Sequence, residues 1–303
     1  MLEQVLLNSV IRGSEIATLA IGVTILFSLL RFANFAHGEF ALVGAYVTYF
    51  FVSVLSLNIW VAAALGALLG GCVALASDLA VFRKLRGSPG VVLLIASLGL
   101  SIFLRAVIAA IWGVEGRNYS DELETIYRIG DAIVTQTQVI IIVVSALAMV
   151  GFYLLLNRTQ LGRAMRAMSD NMDLAKARGI NVEVTIRWIW FIVGSYAALG
   201  GTLIAMDTQL WPDMGVHIIL VVFAATVLGG IGNVYGAVIG SFLIGLLENA
   251  SLAINWSFLA TPFGYDGSLY IPTGYKFAVS FAVLILVMLF FPRGIMRGSS
   301  GDQ

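Results

Sequence analysis

The chain has 303 residues, of which 60% are hydrophobic and 11% are charged. Soluble domains carry roughly 25% charged residues, so this composition excludes an ordinary soluble protein. The formal net charge is zero, which gives no basis for nucleic-acid binding. Several long stretches lack Lys, Arg, Asp and Glu, and a membrane-crossing helix needs about 20 apolar residues. We therefore predict an all-α, polytopic transmembrane helical bundle of about eight to nine spans, with residues 1–303 forming a single transmembrane domain surrounded by lipid.

The first predicted span, Val5–Leu30, carries two charged residues near its start. Arg12 and Glu15 are three positions apart, which places them on one helical face where they could pair. We expect both charges to stay near water at the membrane interface. The next spans are predicted at Phe40–Leu55, Ile59–Phe82, Val91–Trp112, Val139–Leu156 and Trp188–Met206. The single cysteine, Cys72, excludes an intrachain disulfide, and the first residues lack the pattern of a removable signal peptide.

A polar segment interrupts the chain between the first two spans. Asn34, His37 and Glu39 lie within six residues, and Gly38 separates the last two. Polar groups that enter a membrane segment usually face the protein interior or a wet cavity. Two interpretations remain open here, a structural hinge with a helix N-cap at Asn34 or residues that line a pathway. One His and one Glu are too few for a metal site, and no nucleophile has a visible partner, so we predict neither metal nor catalytic residues.

Charge distribution predicts the topology. The segments 83–86, 157–187 and 293–297 are basic, and basic segments near span ends remain in the cytoplasm. The loop 113–138 has an acidic balance and is placed outside. This loop is long enough to contact an external partner.

The cytoplasmic loop 157–187 is the longest polar interruption in the sequence. Five of its residues recur at steps of three and four, the spacing of one helical face: Met165, Met168, Met172, Ala175 and Gly179. A charged stripe lies beside that face, formed by Arg163, Arg166, Asp170 and Asp173. The pattern predicts a short helix outside the lipid whose methionine face is available to another surface. The alternative is that these methionines pack on their own protein.

Residues 228–240 contain five glycines, at positions 229, 230, 232, 236 and 240. Such a glycine-rich stretch permits close helix contacts or a broken helix. A phosphate-binding loop is excluded because no Lys-Ser/Thr pair follows. The pattern leaves open whether His217–Ala253 is one broken unit or two spans. The final span is predicted at Lys276–Phe291.

Three motifs resemble one family of transporters. Asn34-Phe-Ala-His-Gly-Glu39 with Gly44-Ala45-Tyr46, and LGGIGN at 228–233 with GAVIG at 236–240, resemble the permease subunits of branched-chain amino acid ABC importers, a family that includes urea permeases. Asp173-Leu174-Ala175, followed by Gly179 and Ile189, resembles the EAA coupling loop of ABC importer permeases. The usual Leu-Pro after the Ile is missing, and Asp-Leu stands where Glu-Ala is commonest.

The resemblance implies a multi-pass permease of the inner membrane that is not itself an enzyme. Its implied partners are a homologous second permease, two cytoplasmic ABC ATPases that bind ATP and Mg, and an external substrate-binding protein; the chain itself would hold no cofactor. The implied ATPase-coupling residues are Arg163, Arg166, Met168, Met172, Asp173, Ala175 and Gly179. The expected pathway or hinge residues are Asn34, His37, Gly38, Glu39, Gly229, Gly230 and Gly232. Alternatives are a permease for urea or short amides and a proton-coupled secondary transporter that uses Glu39 or Glu248.

Overall fold

The computed structural model describes residues 2–119, 125–257, 267, 269–290 and 294–296. Parts of two charge predictions lie outside these residues, namely the acidic residues 121, 122 and 124 of the outer loop and the basic residues 293 and 297 near the C-terminus. The helices of the first half are α1 (Leu2–Leu30), α2 (Ala36–Ser53), α3 (Ile59–Ser77), α4 (Arg83–Leu85) and α5 (Gly90–Trp112). The helices of the second half are α6 (Gln136–Arg158), α7 (Gln160–Asp170), α8 (Met172–Ala177), α9 (Val182–Asp207), α10 (Met214–Gly229), α11 (Val234–Ala253) and α12 (Lys276–Phe290).

Helices of membrane-crossing length dominate the described residues. Seven are long and apolar enough to span a membrane, and α10 is a shorter apolar helix of 16 residues. α2 has 18 residues and is buried along most of its length. The predicted all-α, polytopic bundle is confirmed. The predicted outer loop 113–138 contains an antiparallel hairpin that was not predicted from the sequence. Its strands are Ile126–Ile129 (β1) and Ala132–Thr135 (β2).

α1 runs through the centre of the bundle, where it packs against α6, α9, α10 and α11. Its closest approach is to α11, and glycine permits it. A Cβ atom on Gly13 would lie 2.5 Å from Cδ1 of Phe242, and one on Gly245 would lie 2.8 Å from the backbone nitrogen of Gly13. Small residues let helix backbones approach closely in lipid, where packing rather than water exclusion drives association. Here they hold α1 and α11 together as one unit.

Two segments of non-helical backbone break the bundle. Residues 31–35 separate α1 from α2, and residues 230–233 separate α10 from α11. At the second break Gly230 and Gly232 have φ values of 111° and 87°, which favour glycine, and Asn233 caps α11 by accepting from the backbone of Tyr235 at 3.0 Å. His217–Ala253 therefore forms two helices joined by a glycine break. Each break is partly buried: Asn34 and Gly230 are buried, whereas Arg31 and Ile231 are exposed.

Candidate functional site

The three polar side chains of the segment 34–39 are buried. Asn34 is 3% exposed, and His37 and Glu39 are both 0% exposed. Asn34 Oδ1 accepts from the backbone nitrogen of Ala36 at 3.1 Å, but the N-cap position of α2 is Phe35 and not Asn34. These three residues therefore lie at the N-terminal end of α2, packed among other helices, and not at an exposed turn.

His37 and Glu39 point to opposite sides of α2. His37 Nε2 lies 3.1 Å from the backbone oxygen of Leu19 in α1. A carbonyl oxygen only accepts, so Nε2 carries the hydrogen of this bond. Glu39 Oε1 instead accepts from Ser101 Oγ of α5 at 3.0 Å. Between them, a Cβ on Gly38 would lie 2.2 Å from the oxygen of Gly215, so Gly38 permits close contact between α2 and α10.

Each of these three polar side chains keeps one buried atom without a protein partner. Asn34 Nδ2, His37 Nδ1 and Glu39 Oε2 have no hydrogen-bond partner within the described residues. Buried polar atoms are normally satisfied, and an unsatisfied one costs free energy that a functional role can explain. They are one donor and two acceptors, and those of His37 and Glu39 lie on opposite sides of α2.

A second buried polar cluster joins α1, α11 and α12. Arg12 Nε donates to Glu248 Oε2 at 3.0 Å, and Arg12 NH1 donates to Glu15 Oε2 at 3.1 Å. Glu248 also accepts from Ser280 Oγ and lies 3.9 Å from Lys276 Nζ. The expectation that Arg12 and Glu15 stay near water is wrong: their exposed fractions are 8% and 0%. They are retained in the interior because two cations and two carboxylates neutralise one another there.

The loop 157–187, predicted to be cytoplasmic and called the cytoplasmic segment below, contains two short helices, α7 and α8, so the predicted single helix is wrong. Asn171 has extended backbone between α7 and α8, and its Oδ1 accepts from the backbone of Leu174 at 2.9 Å. Asparagine favours such N-cap positions over helix interiors. Gly179 follows the end of α8 with φ 85°, and it and Ile180 donate to the last carbonyls of α8. This is the usual glycine C-cap, so Gly179 does not lie on the predicted helical face.

The methionine face of this segment packs on the chain's own core. Met165, Met168 and Ala175 are 3%, 2% and 3% exposed, and Met172 packs beside them. The prediction that this face is available to another surface is therefore wrong, and the alternative is correct. The side chains that remain accessible on α7 and α8 are polar or small, with Leu174 the apolar exception. Among the predicted coupling residues, those that stay exposed are Arg163, Arg166, Asp173 and Gly179.

A polar contact at the start of α9 was not predicted from the sequence. Arg86 NH1 donates to Glu183 Oε1 at 2.8 Å, and Arg86 NH2 donates to Asp78 Oδ1 at 2.7 Å. Asp78 is fully buried and opens a π-helical turn, Asp78–Phe82, at the end of α3. Arg83 adds a 3.1 Å ion pair to Glu183. The contacts join α3 and α4 to the first turn of α9, which follows directly on the cytoplasmic segment.

The part of the chain that the structure describes contains no cluster of metal-ligating side chains. No group of three or more His, Cys, Asp or Glu side chains there is arranged to hold a metal ion. Glu39 and His37, the two residues with ligand chemistry in the polar segment, point to different helices.

Comparison with known proteins assigns the chain to a family. The family model described as "Branched-chain amino acid transport system / permease component" matches residues 5–288. The high-affinity branched-chain amino acid transport system permease protein LivH of Salmonella typhimurium is 31% identical, with 97% of this chain and 94% of LivH covered. BraD of Pseudomonas aeruginosa, which carries the same description, is 30% identical, with 97% of this chain and 95% of BraD covered. A probable LivH permease of Methanocaldococcus jannaschii is 29% identical over 97% of this chain and 92% of its own length.

Among solved structures, a chain of PsaBC from Streptococcus pneumoniae in complex with Fab matches with a TM-score of 0.48 and 14% identity. That match covers 96% of this chain and 92% of the PsaBC chain. The permease relatives and the seven apolar helices identify a multi-pass protein of the inner membrane. The chain belongs to the family of permease components of branched-chain amino acid transport systems.

Proposed function

We propose that this chain is the membrane permease of an ATP-driven importer for branched-chain amino acids, and that it provides the translocation path. The observation that carries the proposal is the family match over residues 5–288, together with permease relatives that cover 97% of the chain. Those relatives favour branched-chain amino acids over urea and short amides. The protein performs no reaction itself in this proposal.

The proposed assembly pairs the chain with a homologous second permease, two cytoplasmic ABC ATPases and an external substrate-binding protein. ATP and Mg²⁺ are bound by the ATPases. A sequence argument supports this division, because the glycine-rich stretch 228–240 lacks the Lys-Ser/Thr of a phosphate-binding loop. The energy of nucleotide hydrolysis must then reach this chain through a contact surface.

The proposed contact surface is the exposed side of α7 and α8, with Arg163, Arg166 and Asp173 as its charged residues. In this proposal Met168, Met172 and Ala175 do not contact the ATPase directly. They fix α7 and α8 to the core of the chain. A segment held at both ends transmits displacement, whereas a flexible loop would absorb it. α7 follows α6 directly, and Gly179 turns the chain from α8 toward α9.

The proposed path passes the polar segment at the start of α2. In this proposal Asn34, His37 and Glu39 lie beside the path, and each keeps one buried atom that has no partner among the described residues. Gly38 allows α10 to approach the path closely. The break at Gly229, Gly230 and Gly232 provides the second wall and a hinge, since glycine accommodates large backbone changes.

Reconstitution tests this proposal directly. The complete importer, with its ATPases and a leucine-loaded binding protein, is placed in proteoliposomes that contain ATP. We expect ATP-dependent accumulation of labelled leucine and no accumulation without ATP. Accumulation driven by a proton gradient in vesicles that hold this chain alone would instead establish a secondary transporter.

A further inference from the structure

A cavity of about 120 Å³ lies where the two non-helical breaks meet α1 and α10. We name it the break cavity. Residue Ala33 of the first break and residues Ile231 and Gly232 of the second line it. Thr24 of α1 and Phe223 of α10 also line the cavity. The cavity therefore touches both the 31–35 break and the 230–233 break.

The lining of the break cavity is apolar apart from two threonines. An engineered cavity of about 150 Å³ lined by Leu, Ile and Phe stays dry and binds benzene. The break cavity is somewhat smaller, and the isobutyl and sec-butyl groups of leucine and isoleucine have fewer carbons than benzene. Its size and lining thus suit one branched aliphatic side chain. They suit urea poorly, because urea would lose its hydrogen bonds with water on entry.

Thr24 and Thr226 are the polar residues of the wall. Thr24 is 1% exposed, and its Oγ1 has no hydrogen-bond partner in the described part of the chain. Thr226, the other threonine of the wall, already donates to the backbone of Phe223 at 3.0 Å. The amide of Asn34, whose Nδ2 is likewise unpartnered among the described residues, directly follows Ala33 in the chain. These polar atoms are buried behind the wall, so the surface that the break cavity presents is apolar.

We propose that the break cavity receives the aliphatic side chain of the amino acid in transit. This rests on the proposed function, because it assigns a substrate subsite within that permease. Sites in transporters commonly lie where helices are discontinuous and backbone groups line a cavity. The permease itself then contributes to selection by side-chain size, in addition to any selection by an external binding protein.

The test changes the volume of the break cavity by small steps. Ala33→Val reduces the cavity, and Val227→Ala, in the same wall, enlarges it. A methylene in an apolar pocket discriminates by roughly 10–200-fold. We expect Ala33→Val to lower the leucine-to-valine ratio of initial uptake rates about tenfold in the reconstituted importer, with binding protein saturated by each amino acid. Val227→Ala should raise that ratio. Ala106→Val, on the exposed side of α5, is the matched control and should leave the ratio unchanged.

The outcomes separate this inference from the proposed function. Leucine uptake by the wild-type importer tests the proposed function alone, and its absence would overturn both. If the wild type transports leucine and both cavity variants keep the wild-type leucine-to-valine ratio, the subsite assignment is overturned. An equal loss of both substrates in Ala33→Val, with Val227→Ala unchanged in ratio, would also overturn it. Opposite shifts in the two variants support the assignment.

Discussion

Arg86 donates a hydrogen bond of 2.8 Å to Glu183, and this contact ties the turn after α4 to the first turn of α9. The other arm of the same guanidinium is held by Asp78, which is fully buried. α9 begins a few residues after α8, the helix proposed to contact an ATPase. Movement of α8 would therefore be passed to α3 as well as to α9.

Removal of the Glu183 charge should weaken this transmission and preserve the fold. Glu183 is 47% exposed at its side chain, and exposed ion pairs contribute only about 0–1 kcal/mol to stability. We expect Glu183→Gln to lower the amount of leucine imported per ATP hydrolysed by about twofold to thirtyfold, which corresponds to a coupling of ~0.5–2 kcal/mol. Parallel uptake and ATPase assays measure this ratio. Glu3→Gln, in the N-terminal turn of α1, serves as the control, and an unchanged ratio in Glu183→Gln would remove the contact from the coupling route.

The position of Gly179 allows bulk and backbone strain to be tested separately. Its φ of 85° strains any L residue by roughly 1–2 kcal/mol, while a Cβ atom there would meet nothing within 4 Å. Gly179→Ala adds the strain alone, and Gly179→Trp adds the strain and a large exposed side chain. We expect Trp to uncouple ATP hydrolysis from uptake, and Ala to keep most of the uptake, with membrane insertion intact in both. Wild-type uptake by the Trp variant would count against the coupling role.

The charge of Glu39 can be removed with little change of shape. Gln keeps an oxygen that can accept from Ser101 but loses the negative charge on the unpartnered side. Hydrogen bonds to charged groups contribute about 1.5–3 kcal/mol, so we expect Glu39→Gln to slow leucine uptake tenfold or more. Ser101→Ala, which keeps the carboxylate, should have a smaller effect. The initial rate of leucine uptake is measured for both variants. An unaltered rate in Glu39→Gln would leave this residue with a structural role only.

The buried cluster around Glu248 should matter more for stability than for transport. Glu248→Gln leaves Arg12 and Lys276 without their shared counter-ion, and loss of one partner from a buried pair costs about 3–5 kcal/mol. We expect a clear fall in the melting temperature of the purified complex. Glu3→Gln, an exposed carboxylate on the same helix α1, is the comparison and should change little. Equal melting temperatures for wild type and Glu248→Gln would show that the cluster does not stabilise the bundle.

The sequence predicted the features that depend on local composition. Apolar runs located the spans, and the glycines at 230 and 232 marked a stretch that permits the break between α10 and α11 without deciding for it. It could not place Arg12 against Glu248, because these residues are 236 positions apart and meet only when α1 packs on α11. A three-residue spacing to Glu15 was visible, but it gave no sign that both charges would be buried.

Within the cytoplasmic segment the error came from periodicity. The spacing of Met165, Met168 and Met172 fits one helical face equally well whether that face is exposed or packed, so spacing could not decide between them. Asn171 did carry a usable signal, because its N-cap preference indicates a helix start at that point. The unsatisfied atoms of the polar segment, by contrast, become visible only in three dimensions.

The proposed contact with an ATPase is tested most directly by a cross-link from the cytoplasmic segment to an ATPase subunit in the assembled importer. Lys176 is exposed on α8, so Lys176→Cys in a Cys72→Ser background offers one reactive thiol at the proposed contact. A short bifunctional thiol reagent should join this cysteine to an ATPase subunit, with a yield that changes when ATP is added. Labelling of the same cysteine from outside sealed cells by an impermeant reagent, or no cross-link to any ATPase, would contradict the account.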